Sequence, residues 1–197
     1  MGGKDRRTLA FIKSYPRPYQ IFEKITKADP WPYKDNREFY VKRDRALVAI
    51  TYLLAARISE VLRLKKNQIS HDKNMLIVKE IKLSKSTHKD KRRRVQFRQE
   101  AFLTLTGSRA PLTNLILAYL ELIYYDDDLL FPFSTVRAWQ IITHLTGEPP
   151  HYLRAYGENF LYDMWKQDLL AVADYIKVDP ATLQQYIRRS YIKYKPV

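Results

Sequence analysis

Between Arg43 and Leu64 the chain reads RDRALVAITYLLAARISEVLRL, and from Ala46 to Ala56 it is apolar almost all round. A surface helix keeps a polar face, so a stretch without one predicts a helix buried in the middle of a fold. Arg57 alone interrupts it. Residues 75–83 (MLIVKEIKL) and 93–97 (RRVQF) alternate with the period of a strand and are joined by a polar connection, which predicts a β-hairpin or small antiparallel sheet. Beyond it the period lengthens. TNLILAYLELIYY and STVRAWQIITHL read as helices, the second opened by Ser134 as N-cap and stopped by Gly147. A helix from about 152 to 167 follows, then DLLAVADYI. The last helix, in DPATLQQYI, is started by Asp179 as N-cap with Pro180 in the first helical position, and it carries Tyr186. Pro16, Pro18, Pro30 and Pro32 punctuate residues 1 to 40, which predicts an N-terminal arm with one or two short helices ahead of a main domain over 41–197. The expected fold class is α+β, mostly helical, with a small antiparallel β element.

At 197 residues and 46% hydrophobic, the chain can bury a core of ordinary size. Its net charge of +14 draws it toward polyanions, and the charge is not scattered. Residues 79–98 hold nine Lys or Arg against two acids, half the net charge on the predicted hairpin, and the tail from about 187 adds Arg188, Arg189, Lys193 and Lys195 with no acid. A lysine-guarded edge strand accounts for part of this. The concentration favours a surface that lies against phosphates, so nucleic acid is the expected partner. Cysteine is absent, and the four His (71, 88, 144, 151) are too scattered for a ligand cluster, so no metal is expected. With 5 Gly there is no glycine-rich phosphate loop, and no nucleotide or other cofactor is expected. No window approaches a membrane span and the N-terminus lacks the plan of a signal peptide, which points to an intracellular protein without a membrane partner.

PPHYLRA places His151 three residues before Arg154, directly after a double proline. Such a pair acquires meaning from the chemistry of a phosphodiester. Its nonbridging oxygens repel a nucleophile and gather charge in the transition state, and two guanidiniums gripping them meet both difficulties. A tyrosine can attack and later leave, keeping the bond energy in a covalent intermediate. A lysine or histidine can move the protons.

Those residues resemble the tyrosine recombinases, or phage-type integrases, over about residues 41 to 190. RDRALVAITYLLAARISEVLRLKKNQI resembles the family's first motif, an apolar helix ending at an arginine followed by I-S-E. The resemblance makes Arg57 the first phosphate-gripping arginine and Glu60 the acid that holds it. PPHYLRA is similar to the H-x-L-R motif, which makes His151 the aid to proton transfer at the nucleophile and Arg154 the second arginine. DPATLQQY resembles the segment S-x-x-T-T-x-x-Y that carries the nucleophile, implying Tyr186, 32 residues after Arg154. The position nine residues before it, His or Trp in the family, is Lys177. Ala55 stands where a turn glycine is common, and Ala155 where a second His is often found. The family's catalytic lysine lies in the hairpin turn, and IKLSKSTHKDKRRRVQF offers Lys85 within S-K-S, with Lys82 and Lys89 as alternatives.

The resemblance implies a tyrosine recombinase catalytic domain, a helical bundle with a small antiparallel sheet. Tyr186 would form a 3'-phosphotyrosyl link, Lys85 would protonate the leaving oxygen, and Lys82, Lys89, Lys91, Arg92, Arg93 and Arg94 would line the double-stranded DNA. Recombinases of this family carry a separate N-terminal DNA-clamping domain, for which the arm is too short. Their tails often pack on a neighbouring protomer, so assembly as a homo-oligomer on DNA is expected. Two other readings share these residues: a catalytically inactive DNA-binding protein of the same fold, and a type IB topoisomerase-like enzyme that relaxes DNA as a monomer.

Overall fold

A computed structural model describes residues 15–82 and 97–191. Its elements are α1 (Pro18–Lys27), α2 (Arg37–Leu53), α3 (Ile58–Val61), β1 (Ile69–Asp72), β2 (Met75–Lys82), β3 (Phe97–Thr104), α4 (Ala110–Leu120), α5 (Thr135–Thr146), α6 (Pro150–Met164), α7 (Leu169–Ile176) and α8 (Pro180–Tyr191). The fold is mostly helical with one antiparallel sheet in the order β1-β2-β3.

α2 is the axis, as its all-round apolar pattern predicts: Ala46 to Leu53 are buried without interruption, and α1, α4, α5 and α6 pack around it. Each large aliphatic side chain so buried stabilises the fold by about 1.5–3 kcal/mol. Ile21 and Ile25 of α1 join this core, as do Leu76, Val78 and Ile81 of β2 and Ala101 and Leu103 of β3. Two charges enter the core with them. Arg43 donates through Nε and NH2 to Asp44 Oδ1 at 3.0 and 2.8 Å, and Tyr33 donates its hydroxyl to Asp44 Oδ2, so neither charge is left unsatisfied. Arg137 of α5 lies 4.1 Å from the ring centre of Trp31 and closes the same cluster.

The chain between Arg43 and Leu64 is not one helix. α2 ends at Leu53, Ala56 N–H donates to Thr51 O and Ala55 N–H to Tyr52 O, and Ala55 is left-handed with φ of +47°. This is the helix stop that usually employs glycine. The same pair of bonds ends α6 at Lys166 (φ +52°) and α7 at Lys177 (φ +53°). Three helix stops thus place side chains in a left-handed conformation, at about 1 kcal/mol or more each. The expected caps are present: Ser134 Oγ accepts from Arg137 N–H, Gly147 is left-handed at the end of α5, and Asp179 Oδ1 accepts from Ala181 and Thr182 N–H. Two strands escape the sequence pattern: β1 is short and mostly exposed, and β3 runs from Phe97 to Thr104, beyond RRVQF. β3 pairs along β2, with Val78 opposite Ala101 and Leu76 opposite Leu103.

Candidate active site

The left-handed stop at Ala55 turns the chain out of α2 and delivers Arg57 to the first position before α3. There Glu60 uses both carboxylate oxygens on one residue: Oε2 accepts from Arg57 N–H at 2.9 Å and Oε1 from Arg57 NH1 at 3.0 Å. The arginine side chain is 45% exposed while that of Glu60 is 2% exposed, so the guanidinium stands at the surface on a buried anchor. Charge-assisted bonds of this kind hold one orientation against the entropy of a long side chain.

α6 begins at Pro150, whose ring is preset for a first helical turn. His151 is exposed in that turn, its ring 4.7 Å from the ring of Tyr152. Partial burial of the ring lowers its pKa from the ordinary histidine value, with Glu148 opposing. Arg154 follows one turn later on the same face. Its Nε donates to Glu158 Oε1 at 2.7 Å, with side-chain exposures of 15% and 6%. Glu158 was not singled out from the sequence, although a carboxylate four residues after an arginine on a helix is a readable signal.

Gly157, also unremarked in the sequence, brings the two arginine segments together. A Cβ at this position would lie 2.2 Å from Tyr52 O and 3.2 Å from Ala55 Cα and Cβ. Only glycine lets α6 approach the end of α2 so closely. The crossing falls one turn after Arg154 and two residues before Arg57.

The third segment joins at the same seam. Ala55, Leu161 of α6, Val172, Ala173 and Ile176 of α7, and Leu183 and Ile187 of α8 form one buried apolar cluster. Tyr186 is the residue before Ile187 on α8, and its side chain lies outside the described residues. Lys177 is exposed in the left-handed stop of α7, where its Nζ donates to Asp174 Oδ1 at 2.7 Å. Burial pushes the hydroxyls of Tyr119 and Tyr156 up to about 12, and that of Tyr52 further.

Of the hairpin residues, Lys82 closes β2 opposite Phe97, and its side chain lies outside the described residues. Lys85, Lys89, Lys91, Arg92, Arg93 and Arg94 also lie outside them. Among the described residues no helix is long and apolar enough to cross a membrane.

No protein-family model and no curated protein matches the chain. Solved structures do. The XerH site-specific recombinase bound to its palindromic difH substrate, a post-cleavage complex, superposes with a TM-score of 0.62 at 19% identity, covering 89% of this chain and 49% of that one. The fold is that of a tyrosine recombinase catalytic domain. The pre-cleavage complex of XerH with difH gives a TM-score of 0.61 at 19% identity over 87% of this chain and 49% of that one. The XerA recombinase gives 0.55 at 17% identity over 91% and 62%. The chain therefore spans about half the length of the XerH chains it resembles. Within this recombinase fold, the Ala55 stop, the Gly157 crossing and the cluster around Ile187 occupy one seam.

Proposed function

We propose that the protein is a site-specific DNA recombinase or integrase that cuts and rejoins strands through a 3'-phosphotyrosyl intermediate. The observation that supports this reading most is the convergence of the segments bearing Arg57, Arg154 and Tyr186 on the seam around Ala55. The phenol oxygen of Tyr186 attacks the phosphorus, the bond to the 5' oxygen breaks, and the phenol proton passes to His151. Lys85 gives the departing oxygen its proton, leaving a free 5'-hydroxyl. Arg57 and Arg154 hold the nonbridging oxygens while charge accumulates on them. Attack by a 5'-hydroxyl from another strand reverses the sequence and restores the tyrosine. The bond energy stays in the phosphotyrosyl link, so this chemistry calls for neither nucleotide nor metal.

The basic hairpin with Lys82, Lys89, Lys91, Arg92, Arg93 and Arg94 tracks the DNA backbone in this reading, and affinity falls steeply with salt. In this reading the tail from about 187 packs on a neighbouring copy in a homo-oligomer formed on DNA. Incubation with a nicked suicide duplex tests the central step. A covalent protein-DNA adduct that is absent in Tyr186→Phe supports the enzyme.

One observation favours a second reading, a DNA-binding protein that retains the fold without the chemistry. Lys177 stands where the resemblance has His or Trp, and its ammonium is engaged by Asp174. Salt-sensitive DNA binding without an adduct on any nicked duplex selects that reading.

A further inference from the structure

We infer that Glu158 is a positioning residue for Arg154 in the proposed strand cleavage, on which this inference rests. The carboxylate lies four residues beyond the arginine on α6 and accepts from its Nε at 2.7 Å, with both side chains nearly buried. In such surroundings water screens little, so the pair holds the guanidinium in one rotamer before any phosphate arrives. The nitrogen that Glu158 engages matters as much as the strength of the bond. A guanidinium carries five N–H donors in a rigid fork, and commitment of Nε leaves the edge formed by the two terminal nitrogens, which matches two phosphate oxygens. Preorganised donors of this kind act on the transition state without reorganising during the reaction.

The backbone beneath the pair is also fixed. Asn159 Nδ2 donates to Ala155 O at 2.8 Å, and Gly157 is pressed against Tyr52 O, so this turn of α6 cannot slide to compensate for a lost side chain. The charge on Glu158 has an opposite effect on binding. It offsets the positive charge of Arg154 before DNA arrives, so it weakens ground-state attraction for phosphate while it orients the donor. A positioning role therefore separates rate from affinity: removal of the carboxylate slows cleavage and leaves DNA binding unchanged or tighter. A residue that only stabilises α6 moves both the same way.

The test measures single-turnover adduct formation on a nicked suicide duplex, with the DNA dissociation constant and thermal midpoint of each variant. E158A is expected to slow adduct formation by about 10²-fold, the scale set by displacement of a catalytic group by about an ångström. E158Q, whose amide oxygen still accepts from Nε, is expected to slow it by about tenfold or less, with DNA affinity at least that of the parent. R154A and R154A/E158A are expected to react at the same residual rate, because Glu158 acts only through the arginine. If E158A does not fold, E158Q and the double variant decide the matter. Rate and affinity falling together in E158Q, or a double variant much slower than R154A, overturns the inference. A parent protein that forms no adduct overturns the cleavage reading and this inference with it, whereas an active parent indifferent to E158Q and E158A overturns this inference alone.

Discussion

Arg57 takes its carboxylate from α3, a helix four residues long, whereas Arg154 takes its from the next turn of a fifteen-residue helix. In the first mount the acid is buried and the arginine stands out, at 45% exposure against 2%; in the second both are nearly enclosed, at 15% and 6%. Glu60 also accepts from the backbone N–H of Arg57, so part of its satisfaction does not depend on the arginine side chain. The difference teaches that two donors with one proposed task can be fixed by local chain geometry or by enclosure, and that the second way couples chemistry to stability more tightly.

The largest expected effect separates the two mounts. Arg154→Ala and Arg57→Ala should each slow adduct formation by about 10²- to 10³-fold, as for loss of a preorganised donor to an anion. Their stabilities should differ: Arg154→Ala removes a nearly enclosed charged partner of Glu158, a change of about 3 kcal/mol in urea denaturation. Arg57→Ala keeps the backbone bond to Glu60 and should cost about 1–2 kcal/mol. Equal losses in the two variants would erase the comparison. Next in size is Gly157→Ala, which removes no donor at all. A Cβ 2.2 Å from a backbone carbonyl has no flexible neighbour to yield, so α6 must shift away from α2 at a cost of about 1–3 kcal/mol or more. Adduct formation should slow with it, since the shift moves Arg154 relative to Arg57; a destabilised variant with an unchanged rate breaks that link.

Smaller is the pH effect at His151. Burial holds its folded pKa below the ordinary 6.5, so the unfolded chain binds the proton first as pH falls. Its contribution to stability is therefore complete above pH 6.5 and declines as pH falls below that value toward the folded pKa. The acid limb of the rate profile should likewise lie below 6.5 and disappear in His151→Gln. Smallest are the helix stops. Lys177→Gly should raise stability by about 0.5–1 kcal/mol by relieving a left-handed side chain, because the exposed ion pair of Lys177 with Asp174 contributes little, whereas Ala55→Gly should be near neutral because it also removes a methyl buried in the cluster. An adduct rate that falls in Lys177→Gly while stability rises would place the lysine in the chemistry.

These positions also divide by how they could be read. The Arg57–Glu60 mount, the caps at Ser134 and Asp179 and the stop at Gly147 depend on residues within four of one another, and their spacing was legible. The Arg154–Glu158 pair obeys the same local rule, but its enclosure, which sets it apart from an ordinary surface pair four residues apart, comes from packing. The hydrophobic pattern hid the break of α2 at Leu53, because Ala55 takes the role of the turn glycine and continues the apolar run; only the resemblance marked the position. β1 and most of β3 were hidden for another reason. A four-residue exposed strand carries no period, and FRQEAFLT becomes a strand through its ladder with β2.

By itself the sequence determined most of the helical segments, where several of them start, the concentration of basic residues over 79–98 and the order of the arginine, histidine and tyrosine motifs, because caps, periodicity and charge are short-range properties of the chain. Only the tertiary structure decided that α6 presses on the end of α2 at Gly157, and that Ala55, Leu161 and Ile187 share one apolar cluster. Those contacts join the end of α2 to residues more than a hundred positions away. They exist because burial of the cluster outweighs the entropy of closing that chain, a balance that no local pattern records.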